Sequence, residues 1–234
     1  VDEHYYVAPE WLYENVTFYD NYPRDVGVFA GEYAAHDKTL SNSMEAGMAE
    51  AAMMTGYERN GDVVKLSSYA PLFNRIGHSQ WTPDLIWFDA DKVVLTPSYY
   101  VQKMFSDYSG NEALELNGQE KVLREQKLYI SAVKNKENKI VKIVNGGDED
   151  KMLVLNKEDG TKLEGEFEVI KLQAKSGKAK TIVVTNTIGP ESGNKSISPE
   201  IMNNRELCEI RKPEEVSYTI EKVKIDGEVK IPVK

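Results

Sequence analysis

Glu32 ends a short run, Val28-Phe29-Ala30-Gly31-Glu32-Tyr33, that holds no other charge. Val26, Val28 and Ala30 alternate with Gly27, Phe29 and Gly31, which reads as a strand over Val26–Glu32 buried on both faces. Polar sequence follows, His36-Asp37-Lys38-Thr39, and then a helical pattern. A carboxylate at the C-terminal end of a buried strand, with a helix next, is where α/β folds place chemistry. Three readings fit Glu32: an acid of a reaction centre, a cap on the following helix, or a side chain that simply meets solvent.

His4 and Tyr6 end the preceding strand-like segment and so share a rim with Glu32; aromatic packing at that rim is the other role open to them. A long connection, about Leu72 to Leu95, carries Asn74, Arg75, Trp81, Asp84, Trp87 and Asp89. It exceeds the roughly 2–6 residues usual for such loops, so function is expected there. Trp beside carboxylates suits a sugar, whose C–H faces pack on the ring while acids take its hydroxyls. Trp81 and Trp87 could equally serve to close a core.

The spacing of His4, His36 and His78 matches no metal-ligand motif, and neither a metal nor a cofactor is expected. Cys208, the single cysteine, excludes an internal disulfide and reads as a small buried hydrophobe. Gly-x-Ser-x-Gly, the phosphate loop and the dinucleotide fingerprint are all missing. Two glycosylation sequons occur, Asn15-Val16-Thr17 and Asn194-Lys195-Ser196, the first inside a predicted helix.

The positioning elements follow from periodicity. Val1–Tyr6 reads as the end of a strand. Pro9 opens a helix with Leu12, Val16 and Tyr19 at core spacing, closed by Pro23. A second helix runs from Met44 to about Thr55, with Asn42 as cap, Glu45 in capping-box position and Gly56 as stop. Val63–Tyr69 is a strand. Thr96-Pro97 opens a helix carrying Tyr100, Val101, Met104, Phe105 and Tyr108, closed by Gly110. Strand and helix alternate three times, the order of a parallel sheet with crossovers. These units resemble the last three of an eight-fold barrel.

Beyond Gly110 the runs Ala113–Leu116, Lys127–Val133, Ile140–Val144, Met152–Leu155, Phe167–Leu172, Thr181–Thr185 and Val216–Val223 are short and β-rich. Turn signals separate them, as in an antiparallel sandwich. The Ser-, Asn-, Gly- and Pro-rich run from Asn186 to Asn204 is expected to be a loop. Two domains are therefore expected, 1–110 and 111–234.

The chain of 234 residues has a net charge of −9, with 41% hydrophobic and 29% charged residues, a globular profile. Residues 1–110 hold 7 Lys and Arg against 16 Asp and Glu, whereas 111–234 hold 22 of each, so the imbalance sits in the first part. An acidic region rich in Trp and Tyr fits a neutral, hydroxyl-rich ligand and not a nucleic acid, which needs a basic surface. The sequence has no apolar run near the roughly 20 residues that span a bilayer. It also has no visible leader.

Five stretches are similar to the α-L-arabinofuranosidases of glycoside hydrolase family 51. They are Val28-Phe29-Ala30-Gly31-Glu32-Tyr33-Ala34, Ala49-Glu50-Ala51-Ala52, Ser68-Tyr69-Ala70-Pro71-Leu72-Phe73, Trp81-Thr82-Pro83-Asp84 and Thr96-Pro97-Ser98-Tyr99-Tyr100-Val101-Gln102. The resemblance runs from His4 to about Ser109, continues faintly through Leu128–Val133 and fades beyond Asn186. It implies a (β/α)8 barrel followed by a β-sandwich, and a retaining, exo-acting enzyme on arabinose-containing oligo- or polysaccharides. It further implies Glu32 as nucleophile, Tyr6 in the sugar pocket, Trp81 near it and Asp84 as a further sugar ligand; His4 on the rim and Asn74 on the long connection join the substrate-binding candidates from their positions. Where some members carry a glutamine after this tryptophan, the chain has Pro83-Asp84. The acid/base glutamate of the family follows an asparagine upstream of the residues present here, so this chain alone is expected to be inactive. For the parent protein an extracellular or periplasmic location and a homo-oligomer are expectations. The competing reading is a non-catalytic carbohydrate-binding or structural β-sandwich, against which stands the position of all three tryptophans before residue 90. A different pentose or hexose substrate is the third.

Overall fold

The computed structural model describes residues 1–91, 93–117, 120–155, 157–161, 163–174, 182–183, 208–209, 216–227 and 229–233. In chain order the first part holds β1 (Asp2–Val7), α1 (Pro9–Glu14), β2 (Val28–Ala35), α2 (Met44–Arg59) and β3 (Val64–Tyr69). β1, β2 and β3 form a parallel sheet in that order. Sequential parallel neighbours joined by helices are the arrangement the strand-helix alternation predicted.

β2 differs from the expected Val26–Glu32 in two ways. It runs three residues past Glu32, because Tyr33, Ala34 and Ala35 pair with Tyr5, Tyr6 and Val7 of β1. Its second face is open at Phe29 and Glu32 and closes again at Ala34, which is fully buried. Val28, Ala30 and Tyr33 are at most 1% exposed, whereas Phe29 on the other face is 38% exposed. Asp2, His4 and Tyr6 stand at alternate positions of β1 on that same open face.

α1 stops after Glu14, short of the predicted run to Pro23; Leu12, Val16 and Tyr19 are buried all the same, the last two from successive turns. Asn15 is therefore the C-cap of α1, not a helix-interior residue. α2 is capped by Ser43, whose side chain accepts from the Ala46 N–H, not by Asn42. It continues through Gly56 to Arg59. Gly56 is needed there for contact, because a Cβ would come within 2.3 Å of the Val16 carbonyl oxygen. The helix is buried almost all round, packed between the sheet, α1 and the strands that follow.

The long connection is itself folded. β4 (Phe73–Arg75), β5 (Ile86–Phe88) and β6 (Val93–Leu95) make a small mixed sheet before α3 (Pro97–Asp107), which Thr96 caps. α3 ends on Tyr108, and Gly110 instead gives room to β-structure: a Cβ there would meet Val133 at 2.6 Å.

The rest is β-rich. β7 (Glu112–Ala113), α4 (Glu120–Glu125), β8 (Leu128–Lys134), β9 (Lys139–Asn145), β10 (Lys151–Leu155), β11 (Leu163–Ala174), β12 (Ile182–Val183), β13 (Cys208–Glu209), β14 (Val216–Gly227) and β15 (Val229–Val233) follow. Every pairing described here is antiparallel: β7–β8–β9, β10–β15, β11–β14 and β12–β13. α4, β13 and β15 carry no alternation that the sequence reading used. The Asn186–Asn204 run, the second sequon and the Ser176-Gly177 turn lie outside the described residues.

One apolar core joins the two parts. Tyr129 and Val144 of the antiparallel strands are buried with Leu12, Val16 and Tyr57. Tyr13 stacks on Tyr129 at 5.2 Å and Tyr100 on Tyr218 at 5.1 Å. Beside this core, Lys142 pairs with Glu58 and donates to the Tyr108 carbonyl at 2.7 Å, while the Ser131 hydroxyl donates to Glu58 at 2.6 Å.

Candidate active site

The register of β1 against β2 sets the direction of Glu32. Asp2 stands opposite Phe29 and Glu3 opposite Ala30, but His4 stands opposite Glu32, so Gly31 is an extra, unmatched residue. Such a bulge re-aims the side chain that follows it. Here it puts Glu32 on the open face with His4 and Tyr6. The Tyr6 hydroxyl donates to Glu32 Oε2 at 2.6 Å, and His4 Nδ1 is 3.6 Å from the same oxygen. The other ring nitrogen, Nε2, lies 3.2 Å from Asp2 Oδ2. The Glu32 side chain is 45% exposed, so a carboxylate held on one oxygen remains open to a ligand.

Burial, then the hydrogen bond to Glu32 and its charge, push the Tyr6 phenol well above its ordinary value, so it stays a donor in neutral solution. The Tyr6 ring also lies 5.3 Å from that of His36, at the end of the same rim.

Asn74 and Asp84 are brought together from ten residues apart. The Asn74 amide donates to Asp84 Oδ2 at 2.5 Å and to the Trp81 carbonyl at 2.8 Å. Both residues are buried, Asp84 being 1% exposed. Burial, opposed by the Asn74 amide, pushes the Asp84 carboxyl up to about 7. Trp81 is 49% exposed, whereas Trp87 is fully buried and its indole N–H donates to Asn42 Oδ1 at 2.9 Å. Trp87 thus closes a core, one of the two roles open to both tryptophans, while Trp81 is open to solvent. Thr82 ties the same turn to the loop after β2 by donating to the Leu40 carbonyl at 2.8 Å. Arg75 points outward, and Asp89 accepts the Asp91 N–H at 2.8 Å.

Three further residues support this rim without having stood out in the sequence reading. Glu50 on α2, fully buried, accepts the Ala35 N–H at 2.9 Å and so holds the end of β2. Burial pushes its carboxyl up to about 8, against the Ala35 N–H and Ser98. Ser68 on β3 donates to the Gly31 carbonyl at 2.5 Å. Asp2 is the third. A period of two counted back from Tyr6 reaches His4 and then Asp2, the one sequence signal that could have found it.

A carboxylate engaged by a tyrosine hydroxyl on an open strand face has the make-up of a nucleophile, and the folded connection contributes an exposed indole, Trp81, and a buried amide–acid pair.

The sequence profile of the α-L-arabinofuranosidase C-terminal domain matches residues 17–224. An extracellular exo-α-L-arabinofuranosidase of Streptomyces chartreusis is 46% identical over 115 residues, 49% of this chain and 14% of that protein. α-L-Arabinofuranosidase A of Aspergillus kawachii is 37% identical over 158 residues, 67% of this chain and 24% of that protein. The chain thus spans a quarter or less of these relatives. Among solved structures, the arabinose-bound MgGH51 α-L-arabinofuranosidase matches with TM-score 0.75 and 23% identity, over 99% of this chain and 35% of that one. The α-L-arabinofuranosidase of Thermotoga maritima in its arabinose complex matches with TM-score 0.62 and 14% identity, over all of this chain and 50% of that one. At these identities the structural likeness speaks for the fold.

Proposed function

Since this chain belongs to the α-L-arabinofuranosidase family, matching its C-terminal domain over most of its length, we propose that it is part of a retaining, exo-acting α-L-arabinofuranosidase. Its substrates are terminal arabinofuranosyl residues of arabinose-containing oligo- or polysaccharides. The parent works outside the cytoplasm, as the Streptomyces relative named extracellular does. Residues 1–110 are the end of its (β/α)8 barrel, and residues 111–234 a β-sandwich packed against it.

The observation that carries this reading is the Glu32 carboxylate held by Tyr6 at 2.6 Å on the open face of a parallel strand. Glu32 attacks the anomeric carbon, the glycosidic oxygen leaves with a proton from a second carboxylic acid, and a covalent glycosyl-enzyme forms. Water, deprotonated by that same acid, then releases the sugar with its configuration retained. In a retaining site the two carboxyls stand about 5–5.5 Å apart. The second acid is expected on a segment outside this chain. Tyr6 keeps Glu32 aligned, His4 lies beside it, and Trp81 offers its face to the sugar. Asn74 and Asp84, being buried and bonded to each other, serve the sugar by holding the Trp81 turn.

In the full-length parent, Glu32→Ala abolishes turnover of an aryl α-L-arabinofuranoside while circular dichroism is unchanged. Retention of most activity removes Glu32 from this role. The 234-residue chain alone gives no turnover, and measurable turnover would mean that the second acid lies within it.

A further inference from the structure

The aim of Glu32 depends on Gly31, and Gly31 is covered by Asp2. Without the extra residue, His4 would stand opposite Gly31 and Glu32 opposite Tyr5, whose ring is buried against Trp11. The carboxylate would then be on the wrong face of the sheet. A Cβ at Gly31 would come within 2.1 Å of Asp2 Oδ1, so a larger residue there would turn the Asp2 carboxylate aside. From there Asp2 Oδ2 reaches His4 Nε2 at 3.2 Å, and His4 Nδ1 faces Glu32 Oε2 at 3.6 Å. A carboxylate only accepts, so the first contact requires a proton on Nε2.

We propose that Asp2 is a positioning residue for Glu32. It accepts the Nε2–H of His4, which fixes the tautomer and the plane of the imidazole; the ring edge then packs beside the oxygen that Tyr6 also holds, making no hydrogen bond to it through the unprotonated Nδ1. The unmatched glycine is what lets the three side chains line up on one face. This inference rests on the reading of Glu32 as nucleophile and adds the group that orients its neighbour. An unheld imidazole would rotate about its side-chain bonds, and misplacement of about 1 Å near a reacting atom costs up to about a hundredfold in rate.

The test has two arms. In the 234-residue chain, long-range proton–nitrogen spectra of the imidazoles show His4 in the Nε2–H form, with His4→Gln identifying its signals. Asp2→Ala abolishes that preference, and Asp2→Asn, whose amide oxygen still accepts, keeps it. In the full-length parent, Asp2→Ala lowers kcat about tenfold with KM within about twofold, and Asp2→Asn recovers most of the loss. Persistence of the Nε2–H form in Asp2→Ala, or kcat within twofold of wild type, overturns the proposal. Full turnover by Glu32→Ala would instead sink the nucleophile reading, while the spectra of Asp2→Ala still decide whether Asp2 sets His4.

Discussion

The Tyr6 hydroxyl and Glu32 Oε2 meet at 2.6 Å across two adjacent parallel strands. A hydrogen bond to a charged group contributes about 1.5–3 kcal/mol, so its loss in the reacting state is worth roughly a ten- to hundredfold change in rate. Tyr6→Phe in the full-length parent therefore lowers kcat by that factor. The fold is retained, because Tyr6 is 41% exposed and the ring survives the change. Steady-state kinetics with an aryl arabinofuranoside check this. An unchanged kcat would mean that the contact aligns nothing during turnover.

Two buried carboxyls give the chain an unusual response to pH. Asp84 is pushed up to about 7 and Glu50 up to about 8, each chiefly by burial. Unfolded, both ionise near pH 4. Across the window from about pH 4 to 8 the folded chain therefore binds more protons at these sites, and stability falls as pH rises, by at most about 1.4 kcal/mol per pH unit for each group. His36, held below its ordinary value by burial despite Asp37, acts the other way near pH 6. The measurement is accordingly the urea midpoint against pH for wild type, Asp84→Asn and Glu50→Gln. Each variant should lose part of the decline, and curves parallel to wild type would show that neither carboxyl holds its proton in the folded state.

Asp84 and Glu50 also mark where sequence reading stops. The parallel strands, α2 and α3 were legible because apolar residues recur at their periods, and Glu32 was legible as the one acid of a buried run. Tyr6 and His4 followed from alternation on β1. The bulge at Gly31 was not legible, since register is a property of two strands and is settled only when both faces are filled. β4, β5 and β6 have three residues each, too few for alternation to show. The Asn74–Asp84 pair depends on a turn that brings positions ten apart into contact. Glu50 lay in plain view among alanines, but its burial is decided by the packing of α2 on both sides.

Gly56 makes the same point with a testable sign. In an exposed helix interior, Gly→Ala stabilises by about 1 kcal/mol. Here the added methyl would come within 2.3 Å of the Val16 carbonyl oxygen, which is backbone and cannot swing aside. Gly56→Ala should destabilise the chain by about 1–3 kcal/mol, the usual cost of overpacking. A lower urea midpoint supports the close approach. A higher one would show that α2 and the segment around Val16 are looser than described.

The polar contact between the two halves should behave as a buried ion pair. The Glu58 and Lys142 side chains are 15% and 10% exposed, and each has a second partner, Ser131 and the Tyr108 carbonyl. The Lys142 ammonium also lies 5.0 Å from the centre of the Phe105 ring. Removing one member leaves the other charge buried without its partner, a loss of about 3–5 kcal/mol, whereas replacing both by apolar groups of similar volume is often neutral. Glu58→Ala is thus expected to lower the unfolding midpoint strongly, and Glu58→Leu combined with Lys142→Met to restore most of it. If the double variant is as unstable as the single one, the pair contributes through its network with Ser131 and Tyr108, and the junction is specified by those hydrogen bonds instead of by apolar packing. If Glu58→Ala is silent, water reaches the pair and the two halves are held by the Tyr13–Tyr129 and Tyr100–Tyr218 stacks with the shared core alone.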